Sequence, residues 1–430
     1  MKIAWFTPLH ERSAIGQFSV GVTAALVALG IEVELWRSDI GPARPVKLPV
    51  HQFTSDGQTV ALLASRYDLC VYNFGNYLPY HGSIYEISQQ HAGLAILHDL
   101  TLHHFFASLY LERMHSPEEY FNALTALYPE LRKHYHTPKA LAAAQLWGGE
   151  EITRYPFFDP VLTNALTAVC HSKFQAAAVT NRWPGPVSVL PLAYEPNATL
   201  ISNVAEVPHQ INQRLRLLVV GHINPNKCVQ LLLEALHALP PVDIVCAGPV
   251  EEVYRQTLES LCSKVCANSR ISFTGQVSDE DLAAQFLVAD LCINLRRPIT
   301  EGASASMIEQ MFLGKPSVIF SDGFYGELPA ETVFRCTTET LQACLRTAIS
   351  DPQARLNVSV AAKRYAESTF TYARYALEIR RIISAVMERA PLFRLTTTLG
   401  RELKRWNVGP NDRMVQRLSG IIEGLFQPEL

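Results

Sequence analysis

Short apolar runs alternate with longer stretches of helical period along most of this chain. The first run, residues 2–6, predicts a strand. Residues 7–16 read as a loop, and the apolar spacing over residues 18–29 predicts a helix that Gly30 stops. Residues 32–36, 69–73 and 94–97 predict further strands. Strand–helix–strand order of this kind implies a mostly parallel sheet covered by helices. Residues 102–146 are aromatic-rich and helical in period, with a start signal at Ser116-Pro117-Glu118-Glu119. Strand patterns resume at 168–170 and 187–190.

Residues 191–213 carry Pro191, Pro196 and Pro208 but few periodic apolar positions, which predicts a linker. A second regular region follows, with strands at 216–220, 242–247, 271–274, 291–294 and 317–320. Helical patterns at 227–239, 251–265, 279–288 and 303–313 separate them. Five strands alternating with helices predict a doubly wound α/β lobe, with ligands at the carboxyl ends of its strands. The expected organisation is a lobe over 1–190, a linker over 191–213, a second lobe over 214–370 and helices over 371–430. Within the tail, residues 371–388 predict a helix, 406–410 a turn, and 414–426 another helical segment. Residues 391–430 hold six Lys/Arg against four Asp/Glu. They read first as helix packing back across the lobes; a membrane-surface or partner contact is the alternative.

Composition narrows the function. At 430 residues two to three domains are expected, each able to bury a core. Lys+Arg total 37 and Asp+Glu 40, a net charge of -3, so no broad positive field invites nucleic acid. An anionic ligand would need a local site. Nine cysteines, with no C-x-x-C pair, fall mostly inside apolar runs and read as small buried hydrophobes of a reducing compartment. The N-terminal apolar run is shorter than the roughly 7–15 residues of a secretory segment. No run reaches the ~18 apolar residues needed to span a bilayer. A cytoplasmic protein is expected, with peripheral contact at the inner face of the membrane as an addition the tail would supply.

Several segments carry candidate chemistry. In Glu301-Gly302-Ala303-Ser304-Ala305-Ser306-Met307-Ile308-Glu309, small residues leave a helix start open. Free amides and the positive end of the helix dipole there suit a phosphate, while Glu301 and Glu309 offer carboxylates at the mouth and inside the helix. Gly221-His222-Ile223-Asn224-Pro225-Asn226-Lys227 follows a strand, and Lys227 can meet phosphate oxygens as a point charge. In Gly275-Gln276-Val277-Ser278-Asp279, Ser278 or Asp279 caps a helix, and Gln276 and Val277 can border a base. Gly16, in Ser13-Ala14-Ile15-Gly16, would let backbone approach a ligand. His98 and Asp99 follow a strand; His98, His103 and His104 fit no standard zinc spacing, so no metal is expected there. Asn73, Asn76 and His81 read as polar surface, or as the wall of a second substrate.

Taken in order, Gly221-His222…Lys227, Gly275-Gln276-Val277…Leu282, Ala289-Asp290, Glu301…Glu309 and Gly314-Lys315-Pro316 resemble the motifs of retaining glycosyltransferases of family four. Leu295-Arg296-Arg297-Pro298-Ile299-Thr300 and His98-Asp99 resemble a subgroup with Leu-Arg-x-Pro-Thr before its first glutamate. The likeness spans roughly residues 1–390.

That resemblance implies a GT-B fold, two Rossmann-like lobes facing across a cleft, and transfer of a hexose-like unit from a nucleotide-sugar to an acceptor hydroxyl with retention. Lys227 would neutralise the diphosphate, Glu309 hold the ribose and Glu301 contact the sugar. The amides of Ser304, Ala305 and Ser306 would hold phosphate, with Gly221, His222, Gln276 and Val277 completing the donor site. His98 and the Gly16 loop would close over it, and Asp99 and Asn76 would face the acceptor. The implied co-substrate is a UDP- or GDP-sugar with no metal; the acceptor is a glycan or a lipid- or protein-linked sugar. One position departs: the family carries arginine where His222 stands. An imidazole titrates near pH 6.5, so Arg296 is expected to supply the permanent charge. Alternatives on the same architecture are a nucleotide-sugar epimerase and a non-catalytic nucleotide-sugar-binding protein. Kinase and dehydrogenase chemistry lack their phosphate-binding glycine loops here.

Overall fold

The computed structural model describes residues 1–196, 214–409 and 412–425. Two parallel sheets form. The first contains β1 (Lys2–Phe6), β2 (Glu32–Arg37), β3 (Val50–Gln52), β4 (Leu69–Phe74), β5 (Gly93–Leu97), β6 (Ala165–Cys170) and β7 (Val187–Val189), in the order β3-β2-β1-β4-β5-β6-β7. The second contains β8 (Leu215–Val220), β9 (Val242–Ala247), β10 (Arg270–Gly275), β11 (Leu291–Asn294), β12 (Ser317–Phe320) and β13 (Phe334–Cys336), in the order β10-β9-β8-β11-β12-β13. Each order runs outward from the first strand and reverses beside it, between β1 and β4 and between β8 and β11. That reversal opens a crevice at the carboxyl ends, where doubly wound sheets bind ligands. Of the linker expected at 191–213, residues 197–213 lie outside the described residues, as do Pro410 and Phe426 of the tail.

Each element has a local cause. β1 is buried along Ile3–Phe6 and covered by the Ala14–Ala28 helix, which begins four residues before the apolar pattern does. Ser13 caps it, its Oγ accepting the Gly16 amide at 3.0 Å. In the second sheet the structure adds β13 to the five expected strands; at three residues it is too short to show a period. The helix expected over 227–239 is Val229–Ala235, because Cys228 adopts left-handed backbone (φ 51°) after a 3-10 turn at Pro225–Lys227. The aromatic-rich stretch after β5 breaks into short helices around a core of Phe105, Phe106, Tyr120, Phe157 and Phe158.

The lobes share a core. The Tyr372–Arg405 helix returns to the first lobe, where Tyr375, Ala376, Ile379 and Ile383 pack with Trp5, Phe18, Val22 and Leu26. The same cluster continues through Ile299 and Ala303 to Met307, Phe324 and Tyr325 of the second lobe. The chain's two passages between lobes are tied together: the Tyr194 amide donates to Phe370 O at 3.0 Å and the Tyr372 amide to Glu195 Oε1 at 2.6 Å. Beyond Val386 no residue whose side chain is described is buried. No helix among the described residues is long and apolar enough to cross a membrane. All nine cysteines are free, and all but Cys344 are buried, as their apolar settings predict.

Candidate active site

The carboxyl end of β5 meets the loop after β11 directly. Leu100 and Thr101 amides donate to Thr300 O at 2.9 and 3.1 Å, and the Gly302 amide donates to His98 O at 2.9 Å. Asp99 and Glu301 thereby form an isolated antiparallel bridge between the lobes. Beside this junction lies a cleft of about 440 Å³. Its first-lobe wall includes Ser13–Ile15, Phe18, Gly75–Tyr77, His81, His98 and Asp99; Glu301, Ala303 and Ala305 face them. The first-lobe residues follow β1 and β4, which flank the reversal of sheet order, and β5 next to them.

Glu301 is held from its own lobe. Tyr325, which follows β12, donates its hydroxyl to Glu301 Oε1 at 2.6 Å, and Arg296 Nε lies 3.7 Å from the same oxygen. Burial opposes the charge of Arg296, but the Glu301 carboxylate and Tyr325 outweigh it and hold the guanidinium above its usual value. Arg296 also donates to Asn226 Oδ1 at 3.4 Å. Lys227 is 5% exposed and donates to Val220 O. Burial, helped by the neighbouring Arg296 charge, pushes its pKa down to about 7. Gly221 makes room for it: φ is +101°, and a Cβ there would lie 2.9 Å from Lys227 Nζ. The Ala305–Phe312 helix begins at the cleft that Glu301 lines; its cap Ser304 accepts the Met307 amide at 3.4 Å.

Among the mixed apolar and polar residues of the first-lobe wall, His98 and Asp99 are held by hydrogen-bonded neighbours. His98 Nε2 lies 3.0 Å from Asn73 Oδ1, and its Nδ1 lies 3.2 Å from His171 Nε2. Burial and the adjacent imidazoles of His171 and His81 hold its pKa well below 6.5, so His98 is neutral at pH 7. Asp99 Oδ2 accepts the Asn76 amide at 2.8 Å. Burial pushes this carboxyl up to about 7 against that hydrogen bond, with Glu301 adding to the rise. Phe18 meets the His98 ring edge-on, centroids 4.8 Å apart.

The structure thus brings His98, Asp99, Asn76 and Glu301 to one cleft, with Lys227 and Arg296 reached through Glu301. Gly16 sits in the first turn of its helix rather than in an open loop; its missing side chain admits Pro8 O, which a Cβ would approach to 2.7 Å. Ser306 and Glu309 are half-buried on the Ala305–Phe312 helix. His222 is exposed after β8, and Gln276 and Val277 follow β10; none of the three lines the cleft. His103 turns away to Tyr155 O and Tyr120 Oη, and His104 is exposed. Among the described residues no group of three His, Cys, Asp or Glu could hold a metal ion. The sequence's one Asp-x-Asp triplet, Asp279-Glu280-Asp281, opens a helix away from the cleft, with Asp281 engaged by Ser278. Tyr325, Gln175, His171 and Glu327 escaped the sequence reading. Only the loop 321–329 gave a signal, an aromatic and a carboxylate after a strand end.

Residues 205–365 match the model of a family described as glycosyl transferases group 1. The chain resembles sucrose-phosphate synthase from Thermosynechococcus elongatus at 17% identity and TM-score 0.61, over 90% of this chain and 99% of that one. It resembles Anabaena HepE, crystallised with UDP-glucose, at 18% identity and TM-score 0.60, over 90% and 100%. WaaG, a glycosyltransferase of lipopolysaccharide biosynthesis, matches at 16% identity and TM-score 0.55, over 89% and 99%. The fold is GT-B. No curated protein sequence matches the chain. In GT-B terms, β1–β7 form the first lobe, β8–β13 the second, and the Asp99–Glu301 bridge joins them beside the cleft.

Proposed function

We propose that this chain is a glycosyltransferase that moves a hexose-like unit from a nucleoside diphosphate sugar to an acceptor hydroxyl with retention of anomeric configuration. The observation that carries this reading is Arg296 beside Glu301, with Lys227 near enough to feel both charges, at a cleft that Glu301, Ala303 and Ala305 line together with His98 and Asp99. A leaving diphosphate gains charge as the glycosidic bond breaks, so groups fixed around that charge lower the barrier. Lys227, Arg296 and the amides of Ser304, Ala305 and Ser306 do this without a divalent metal. Arg296 supplies the permanent charge that His222 lacks.

Glu301 takes the transferring sugar through the oxygen that Tyr325 does not hold. Glu309 binds ribose; Gly221, Gln276 and Val277 border the nucleotide. His98 and the helix start at Gly16 cover the sugar. Asp99, one oxygen tied to the Asn76 amide, turns the other to the acceptor. The carrier is UDP or GDP, and a structural neighbour's UDP-glucose complex supports uridine. The acceptor is a glycan or a lipid- or protein-linked sugar of polysaccharide synthesis on the cytoplasmic side. A thermal-shift series with UDP-, GDP-, ADP- and TDP-sugars tests the reading. One base raises the Tm, and Lys227→Met and Arg296→Ala each remove most of the rise. No rise with any carrier refutes the function; an intact rise in Arg296→Ala refutes the compensation for His222.

A further inference from the structure

The segment after β12, Ser321 to Leu328, touches both lobes at once. From Tyr325 it donates a hydrogen bond to Glu301 Oε1 at 2.6 Å. Two residues on, Glu327 reaches across to the first lobe. Its Oε2 accepts the Lys173 amide at 3.0 Å and its Oε1 the Phe174 amide at 2.7 Å. These are the first amides of the Lys173–Thr180 helix, so a carboxylate from one lobe caps a helix of the other. The same helix turns Gln175, fully buried, toward the junction. Gln175 Nε2 donates to Leu97 O at 3.0 Å, at the end of β5, and its Oε1 accepts the His171 amide at 2.8 Å. Against it lies Gly302, where an added Cβ would come within 2.2 Å of Gln175 Oε1. The chain of contact is closed: Glu301 to Tyr325, Tyr325 to Glu327 along the backbone, Glu327 to the helix, Gln175 to Gly302, and Gly302 back to Glu301.

We propose that Tyr325 and Glu327 are positioning residues that make the alignment of Glu301 depend on contact between the lobes. The inference rests on the assignment of Glu301 to the sugar but adds a control that assignment does not contain. With the lobes together, Glu327 holds the 321–328 segment against the first lobe and Tyr325 transmits that position to the carboxylate. With the lobes apart, the helix amides lose their cap and Gly302 loses its seat on Gln175. The carboxylate is then tethered to its own lobe alone. Sugar transfer is thereby confined to the closed arrangement, in which water is excluded.

Two measurements test it. On the ligand-free protein, amide hydrogen exchange at Lys173 and Phe174 should accelerate about tenfold in Glu327→Gln, with exchange at the β5 strand unchanged. On the enzyme, with the nucleotide-sugar found in the thermal screen, Tyr325→Phe should lower kcat about tenfold or more while the Kd of the bare nucleoside diphosphate moves less than about twofold. Glu327→Gln should lower kcat more modestly, Glu327→Asp should restore part of it, and the double variant should fall short of the product of the two. Gly302→Ala should reproduce the loss of kcat without touching either positioning residue. Unchanged exchange at Phe174, or fully multiplicative kinetic effects, overturns the proposal. If no nucleotide-sugar binds wild type, the functional reading fails while the exchange experiment still decides the clamp.

Discussion

Lys227 is the residue whose chemistry depends most on its surroundings. An ammonium with its pKa pushed down to about 7 is only partly charged in the empty site at neutral pH. A diphosphate favours the charged form, so binding takes up a proton whenever the pH lies above that value. Nucleoside diphosphate affinity should therefore be level just below pH 7 and fall by up to about tenfold per pH unit above it. Lys227→Arg, which does not titrate there, should flatten the profile; calorimetry across pH 7–9 reads both. A wild-type profile as flat as the variant's would mean the amine does not meet the anion. Lysine after a strand end was visible in the sequence. Its burial was not, because that follows from Gly221 lacking a side chain and Cys228 turning left-handed.

At the level of elements, backbone shape does part of the site's work. Gly221→Ala should cost more than the strain of a positive φ, typically about 1–3 kcal/mol, because the new methyl also displaces the Lys227 amine. Gly30→Ala is the control: φ is +80° and no atom lies within 4 Å of the added Cβ. Both variants should lower the Tm, but only Gly221→Ala should also weaken nucleotide binding; equal nucleotide affinity in the two would refute the packing argument. The alternation of apolar strands and amphipathic helices was legible because parallel strands are buried on both faces and read as continuous apolar runs. The edge strands β3 and β13 were not: each has three residues with a charged or polar side chain among them and no longer apolar run around it, unlike the equally short β7 within the mostly apolar stretch 187–190. The long helix runs through Pro391, where the pattern suggested a boundary. On that exposed stretch solvent can serve the carbonyl that proline leaves without a partner.

For the whole molecule, buried imidazoles set the response to acid. His81, His103 and His171 are pushed down to about 4 by burial, and burial with the neighbouring imidazoles holds His98 well below 6.5. Unfolded, each takes a proton near pH 6.5, so between that value and about 4 the unfolded chain binds more protons and stability falls as pH falls. Asp99, pushed up to about 7, acts oppositely across most of this window. Four imidazoles against one carboxyl leave a net of about three protons, an upper limit near 4 kcal/mol per pH unit. Calorimetry should show the Tm dropping from pH 6.5 to 5, with His103→Gln reducing the slope; a Tm independent of pH there would contradict the burial of these rings. Motif order led to the expectation of an anion site in the second lobe. The junction with the first lobe stayed hidden because residues 98 and 301 are neighbours only after both sheets fold.

The paired passages at Tyr194–Glu195 and Phe370–Tyr372 bear on how such a machine moves. A single tether would let one half spin freely about the other. Two stitched side by side should act like a hinge with a fixed pin and resist rotation of one lobe against the other. Each swing should then return Glu327 to the same two amides, so that opening to exchange substrates need not scramble the register on which the next turnover depends.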